Sequence, residues 1–232
     1  MDAAYRGERL YLFIFLPKRR NPPFLPVVYF PGSWAMQALS SKQISTEEFD
    51  FVMRSGRALC YPIYKGTYER GIGRQDDNPD DTSGYRDLMI MLSKDLGRAI
   101  DYLESRPQDF NTDRTAYLGY SWGAAVGAIL PALEPRIRVV VLDGGGYFQQ
   151  LALPEADQRT FAPRVHVPVL MINGRYDSFF PVDSSQVPMF EDLGTPRTDK
   201  LHLIEPTGHT VPRPTRIRAT LEWLDRYQGE VQ

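Results

Sequence analysis

The segment from Tyr117 to Gly127, "YLGYSWGAAVG", sets a serine between glycines where a strand-like sequence changes into a helix-like one. Apolar "TAYLGY" precedes Ser121, and "WGAAVGAIL" follows it with small residues that allow close helix packing. A sharp turn there holds the serine hydroxyl above the edge of a sheet, and Gly119 and Gly123 avoid collisions with the neighbouring strand or helix. The segment therefore predicts a strand–turn–helix unit that exposes a serine for chemistry.

Short apolar strands alternate with helical patterns along the rest of the chain. Strands are predicted in "RLYLFIFLP", "LPVVYFPG", "RALCYPIY", "RTAYLGY", "IRVVVLDGGG", "VPVLMINGRYD" and "KLHLIEPTGH". Helices are predicted in "TEEFDFVMRSG", "RDLMIMLSKDLGRAIDYLESR", "WGAAVGAILPALE", "VDSSQVPMFEDLG" and "TRIRATLEWLDRYQ". Such alternation indicates an α/β fold with a mostly parallel central sheet and helices on both faces. We take residues 1–232 as a single domain, whose late-starting sheet also suits a piece of a longer polypeptide.

The composition of the chain limits which binding partners and which cellular compartment are expected. The 232 residues carry a net charge of −2 with both signs interspersed, which favours neither nucleic acid nor an anionic membrane as a partner. The single cysteine, Cys60, excludes an internal disulfide and lies in an apolar run, where packing is its expected role. The apolar run at 10–17 is too short to span a bilayer, so a cytoplasmic protein of unknown oligomeric state is expected.

A serine hydroxyl becomes a good nucleophile only when a base takes its proton, and the base is usually histidine. The chain has three histidines. His166 begins a predicted strand, and His202 lies inside one. His209, in "EPTGHTVP", follows the carboxyl end of a strand, where catalytic groups collect in parallel sheets. We therefore predict His209 as the base for Ser121.

The base needs an acid that orients its ring, and two backbone amides must hold the oxyanion. Asp177 ends the strand "VPVLMINGRYD" and is the predicted acid. Asp143, at the tip of the preceding strand, remains the alternative. The amide of Trp122, next to the nucleophile, and that of Ser33, in the "PGSW" turn after "VVYF", form the predicted oxyanion hole.

The loop from residue 65 to about 85 is long for a compact domain and is predicted to form one wall of the substrate site. Its alternating acidic residues do not indicate calcium, because Asp81 stands where a calcium loop needs glycine and Pro79 interrupts. We expect no metal and no cofactor. The aromatic residues near the catalytic loops favour an apolar or aromatic substrate group, and five residues are predicted to bind it: Trp34, Tyr64, Tyr68, Phe179 and Phe180.

These motifs resemble the α/β-hydrolase superfamily, and in particular the dienelactone-hydrolase and prolyl-oligopeptidase-like esterases. The resemblance rests on "GYSWG" around Ser121, "NGRYDSFFP" around Asp177 and "TGH" ending at His209, and it covers about residues 9–227. It implies a triad in the chain order Ser, Asp, His and, from the short segment at 146–163, a minimal cap. The chain departs from the pattern with Pro-Gly in place of His-Gly at the oxyanion loop, a serine in place of the cysteine of dienelactone hydrolases, and no propeller domain.

The expected activity is hydrolysis of small to medium carboxylic esters, apolar or aromatic, through an acyl-enzyme. A small-molecule ester is the expected partner. A serine peptidase or acylaminoacyl-type hydrolase is the first alternative, disfavoured because no acidic pair for a peptide amino terminus is apparent in the sequence. A non-catalytic binding module on the same fold is the second, and it would typically have lost a member of the triad.

Overall fold

Seven strands form one sheet in a computed structural model that describes residues 1–5, 7–74 and 76–231. Gln75, within the predicted wall loop, and Gln232, at the end of the predicted domain, lie outside the described residues. The strands are β1 (Leu12–Phe15), β2 (Pro26–Phe30), β3 (Ala58–Pro62), β4 (Thr115–Tyr120), β5 (Ile137–Asp143), β6 (Val169–Gly174) and β7 (Lys200–Glu205). Each lies inside a segment that the sequence predicts to be a strand.

The sheet order is β1-β3-β2-β4-β5-β6-β7, and only the pair β1 and β3 is antiparallel. The mostly parallel sheet expected from the sequence is therefore confirmed. Parallel neighbours bring their carboxyl ends to one edge, so β4, β5, β6 and β7 present their following loops side by side. This edge is where Ser121, Asp177 and His209 are found.

Helices lie on both sides of this sheet. They are α1 (Trp34–Gln37), α2 (Asp50–Arg54), α3 (Ser83–Glu104), α4 (Trp122–Val126), α5 (Leu130–Leu133), α6 (Gln158–Phe161), α7 (Val187–Asp192) and α8 (Arg213–Tyr227). Successive residues of β2 point to opposite faces, as strand geometry requires. Val28 joins a core cluster with Leu92 of α3, whereas Val27 joins a second cluster with Trp223 of α8.

Three predicted helices are shorter than the sequence suggests, and in one of them, "VDSSQVPMFEDLG", Val182–Gln186 form a π-helical turn before α7. The segment "WGAAVGAILPALE" splits into α4 and α5, because Pro131 has no N–H to donate to the carbonyl of Gly127. A side chain at Gly127 is also excluded, since a Cβ there would lie 2.3 Å from Leu142 of β5. In "TEEFDFVMRSG" only Asp50–Arg54 is helical.

The helices of the segment between β5 and β6 are α6 and a 3-10 turn at Ala162–Arg164, both short, which agrees with the predicted minimal cap. Cys60 is buried in β3, and burial raises the pKa of its thiol, as suits a packing residue. No helix in the described ranges is long and apolar enough to cross a bilayer. Within the same ranges, no three His, Cys, Asp or Glu side chains are grouped as metal ligands.

Candidate active site

Ser121 occupies a strained turn between β4 and α4. Its φ of 52° and ψ of −110° lie in a region that residues with side chains rarely adopt, at a cost of ~1–3 kcal/mol. The turn is fixed from the neighbouring strand, because the Ser121 N–H donates to the carbonyl of Asp143 at 2.8 Å. The surrounding structure thus holds the hydroxyl at the sheet edge in the manner expected of a nucleophile turn.

The two glycines of the turn are required by close backbone contacts. A Cβ at Gly119 would lie 2.3 Å from the carbonyl oxygen of Gly123, and a Cβ at Gly123 would lie 2.3 Å from that of Phe30. The Gly123 N–H also donates to Pro31 at 3.0 Å, which ties α4 to the loop after β2. The collisions that the sequence predicts for side chains at these positions are present.

Three side chains from separate strand ends form one hydrogen-bonded line. His209 Nε2 lies 2.9 Å from Ser121 Oγ, and His209 Nδ1 lies 2.7 Å from Asp177 Oδ2. The other oxygen of Asp177 accepts the backbone N–H groups of Phe179 at 2.8 Å and Phe180 at 3.2 Å. Asp177 is 4% exposed, so its carboxylate is held in place and shielded from water.

Asp143, the alternative acid, has a different partner. Its Oδ2 lies 3.3 Å from Nε of Arg216, and its Oδ1 is buried without a hydrogen-bond donor among the described residues. Burial raises the pKa of Asp143 to about 6, with the Arg216 guanidinium acting in the opposite direction. Because Nδ1 of His209 is bonded to Asp177, the geometry favours Asp177 as the orienting acid.

The two remaining histidines lie elsewhere. His166 Nδ1 is 3.2 Å from the carbonyl of Gly194 on an exposed loop. His202 Nε2 is 3.1 Å from Oδ1 of Asn173, and burial lowers the pKa of His202 to about 4. Neither contacts Ser121, in agreement with the positions inferred from the sequence.

The two amides predicted for the oxyanion hole are available as donors. Within the described ranges, neither the Ser33 N–H nor the Trp122 N–H donates a hydrogen bond to the protein. The Trp122 side chain, by contrast, is fully buried and packs edge-on against Phe30 at 4.9 Å. Trp122 therefore has an available backbone group next to the nucleophile and a side chain that stabilises the core.

A cleft of about 610 Å³ opens over Ser121 and His209. Two predicted substrate residues flank the imidazole, with the Phe179 ring 5.0 Å and the Phe180 ring 6.0 Å from its centre. Trp34, also predicted, lies on the opposite wall beside Tyr120, at 5.4 Å between ring centres. The full lining is Ser33, Trp34, Gln37, Glu48, Asp77, Asn78, Tyr120, Ser121, Phe148, Gln149, Gln150, Ser178, Phe179, Phe180 and His209.

Two predicted substrate residues are not in this cleft. The prediction for Tyr64 is wrong, because its side chain points to the face under α3, is fully buried and stacks on Phe30 at 4.1 Å. Tyr68 is 6% exposed and lies outside the cleft lining, with its hydroxyl 2.8 Å from that of Tyr61. Tyr68 lines a neighbouring pocket, described below.

Sequence reasoning missed two carboxylates in the cleft. Asp77 comes from the predicted wall loop, and Glu48 comes from the segment before α2, where its Oε2 accepts the hydroxyl of Tyr29 at 2.9 Å. Burial raises the pKa of both carboxyl groups. Nothing in "TEEFDF" distinguishes Glu48 from a solvated acid, since its position depends on how the loop before α2 folds over the sheet edge.

Sequence comparison finds no matching family model and no significant match among curated proteins. Comparison of structures does find relatives. A cold-adapted esterase from an Arctic intertidal metagenomic library has 18% identity and a TM-score of 0.65, with 100% of each chain covered. A putative dienelactone hydrolase from Klebsiella pneumoniae subsp. pneumoniae has 14% identity and a TM-score of 0.71, covering 98% of this chain and 95% of that one.

A putative dipeptidyl aminopeptidase IV from Bacteroides ovatus is similar at 16% identity and a TM-score of 0.75, over 98% of this chain and 34% of that protein. These similarities extend over nearly the whole chain, but the sequence identity is low, so they are evidence for the fold alone. Together with the seven-stranded sheet, the strained serine turn after β4 and the order of the strands, they show that the chain has the α/β-hydrolase fold.

Proposed function

We propose that this chain is a serine carboxylic ester hydrolase in which Ser121 is the nucleophile. The observation that supports it most is the line of 2.9 Å and 2.7 Å hydrogen bonds from Ser121 through His209 to Asp177. With Nδ1–H donating to Asp177, Nε2 is left unprotonated and accepts the serine proton. The same three residue types at three strand ends serve no evident structural purpose, whereas they supply nucleophile, base and orienting acid together.

In the proposed reaction His209 takes the proton of Ser121 as Oγ attacks the ester carbonyl. The amides of Ser33 and Trp122 donate to the oxyanion of the tetrahedral intermediate. His209 then gives its proton to the departing alcohol, and an acyl-enzyme remains. Water, deprotonated by His209, attacks this ester; as the bond to Ser121 Oγ breaks and the acid is released, His209 returns the proton to Oγ, and Asp177 stabilises the imidazolium in both halves. The scheme needs no metal or organic cofactor.

We propose small to medium esters with an apolar or aromatic group as substrates, since aromatic rings form much of the cleft wall. Structures with the same fold include proteins named as esterases and acetyl xylan esterases, which is compatible with this class. A single domain, a cytoplasmic location and a small-molecule partner stay predictions. A non-catalytic module is less compatible with a complete and hydrogen-bonded triad.

Hydrolysis of aminoacyl substrates is a second candidate. The carboxylates of Glu48 and Asp77 line the cleft that holds Ser121, and an amino group on the substrate would complement them. The likeness to a putative dipeptidyl aminopeptidase IV points in the same direction, although this chain spans 34% of that protein. Turnover of aminoacyl p-nitroanilides faster than of p-nitrophenyl butyrate would favour this candidate over the first.

The test is hydrolysis of p-nitrophenyl butyrate by the wild type and by Ser121→Ala. We expect kcat to fall by about 10⁴-fold or more, because the oxyanion donors alone give little turnover. Ser105→Ala, at the exposed end of α3, is the matched control and should retain wild-type activity. Full activity in Ser121→Ala would exclude Ser121 as the nucleophile.

A further inference from the structure

A second pocket of about 290 Å³ adjoins the active-site cleft. The two cavities share Trp34 and Glu48, so they meet at these side chains. We call this second cavity the side pocket; its lining is Trp34, Ala38, Gln43, Ile44, Ser45, Glu48, Tyr61 and Tyr68. At ~30 Å³ for each water-sized group, it has room for roughly ten non-hydrogen atoms, about the size of a substituted ring.

Backbone strain marks the side pocket independently. Among the described residues that are not glycine, only Ser121 and Tyr68 have a positive φ, 52° and 47° respectively. The strained Tyr68 is held by the Tyr61 hydroxyl at 2.8 Å and by the Gly71 N–H, which donates to its carbonyl at 3.1 Å. Backbone strain of this kind persists where the surrounding contacts hold a side chain in one position, typically at active sites and ligand clamps.

Trp34 is the partition between the two cavities. Its ring lies over Gly32, where a Cβ would be 1.9 Å from the indole, so only glycine permits this position. Trp34 lines the side pocket together with Tyr68 on one side, while its ring packs at 5.4 Å from that of Tyr120 on the other. Trp34 directly follows Ser33, whose amide is proposed to bind the oxyanion. An ester whose carbonyl oxygen is bound by that amide therefore extends past Trp34 to reach the side pocket.

The lining of the side pocket is aromatic with one carboxylate. Trp34, Tyr61 and Tyr68 supply ring surfaces, and among the described residues Glu48 is the only charged side chain in the lining. Burial raises the pKa of Glu48, while the Tyr29 hydroxyl and the charge of Arg216 oppose that shift. Arg216 Nε faces Asp143, at 3.3 Å from Oδ2 of that residue, and not Glu48. A hydrogen-bond donor or a cation supplied by a ligand would therefore complement the carboxylate of Glu48.

We propose that the side pocket is a specificity subsite of the esterase. It accepts a ring-sized, mainly apolar substituent of the ester that ends in a hydrogen-bond donor or a positive charge directed at Glu48. This inference rests on the proposed function and adds the substrate class to it. Tyr68 then contributes to substrate selection from the side pocket and not from the cleft over Ser121.

The test compares pocket-filling variants on small and large esters. Ala38→Leu and Ser45→Phe narrow the side pocket, and Lys42→Phe puts the same ring on the same segment outside its lining. The small esters are p-nitrophenyl acetate for the acyl series and ethyl acetate for the alcohol series. The large ester of the acyl series is p-nitrophenyl 3-phenylpropanoate. The large esters of the alcohol series are two aryl acetates that differ only in the amino group, tyramine O-acetate and 4-ethylphenyl acetate, and kcat/KM is measured for every ester.

We expect both filling variants to lower kcat/KM about tenfold or more for the large esters of one series and less than about twofold for the small ester of that series. The affected series identifies which side of the ester enters. Lys42→Phe should leave every ratio unchanged. Glu48→Gln should remove most of the preference for tyramine O-acetate over 4-ethylphenyl acetate.

Two results overturn the proposal in different ways. If p-nitrophenyl acetate is hydrolysed but the filling variants change all esters equally, the subsite is wrong and the proposed function stands. If the wild type hydrolyses none of these esters, the proposed function fails and the subsite fails with it. A filling effect without any dependence on Glu48 would leave an apolar subsite and contradict the donor-bearing substrate class.

Discussion

Two aspartates border the active site, and their surroundings differ. Asp177 accepts two backbone N–H groups and the imidazole of His209, so its negative charge is stabilised where the reaction needs it. Asp143 has the guanidinium of Arg216 near one oxygen and, within the described part of the chain, no donor at the other, and burial raises its pKa to about 6. At the residue scale, the hydrogen bonds of the two carboxylates therefore differ in the way that the proposed roles, an orienting acid and a buried structural acid, require.

Replacing each aspartate tests this distinction. Asp177→Asn should lower kcat on p-nitrophenyl butyrate by about 10⁴-fold, because an amide favours the wrong tautomer of His209. Asp143→Asn, the matched control, should lower kcat by less than about tenfold, since it leaves the hydrogen bonds of His209 intact. Steady-state kinetics would contradict the assignment if Asp143→Asn proved the more damaging change.

The sequence predicts the triad residues better than the walls of the cleft. Ser121 follows β4 directly and His209 lies in the short loop after β7, so their positions depend on elements that apolar patterns reveal. Glu48 and Tyr68 lie in irregular segments, whose direction depends on contacts made only after folding. Tyr64 was misassigned because a residue just past a strand can face either the sheet edge or the layer beneath a helix, and here it packs on Phe30.

At the scale of elements, β7 carries a half-buried histidine that is expected to link stability to pH. His202 Nε2–H donates to Oδ1 of Asn173, whose own amide donates to the carbonyl of Gly145 at 2.7 Å. Burial lowers the pKa of His202 to about 4, below its ordinary value of ~6.5. The unfolded chain therefore binds a proton more readily than the native one as the pH falls through this range.

The contribution of neutral His202 to the free energy of unfolding should be fully present above about pH 6.5 and should be lost as the pH falls from about 6.5 to about 4. The loss is at most on the order of 3 kcal/mol, reduced by the partial exposure of the ring. His202→Gln, which keeps a donor for Asn173, should lose less stability than the wild type between pH 7 and 4.5. Urea unfolding at both values measures this, with the exposed His166→Gln as control; identical losses in all three proteins would contradict it.

Strands were predicted well as elements because a buried parallel strand is a nearly continuous apolar run. Short helices were predicted less well. Their ends depend on single residues, as with Pro131, which separates α4 from α5, and on contacts such as that of Gly127 with β5. The antiparallel direction of β1 is not encoded in its own apolar pattern, which is the same for either direction.

At the scale of the whole molecule, the site follows from topology. The strands β4, β5, β6 and β7 are neighbours in order, so the loops that carry Ser121, Asp177 and His209 meet at one edge although 88 residues separate the serine from the histidine. The loops after β2 and β3 bring Ser33, Trp34 and Tyr68 to the same edge from the other side. The catalytic line and the proposed subsite thus come from opposite halves of one sheet.

The central claim, that His209 activates Ser121 as a nucleophile, is tested most directly by covalent labelling with a fluorophosphonate followed by peptide mass spectrometry. The wild type should take up one equivalent of label, located on Ser121, and Ser121→Ala should take up none. His209→Gln should react about 10³-fold more slowly, because the hydroxyl then lacks its base. Label on another residue, or wild-type labelling of Ser121 in His209→Gln, would contradict the account.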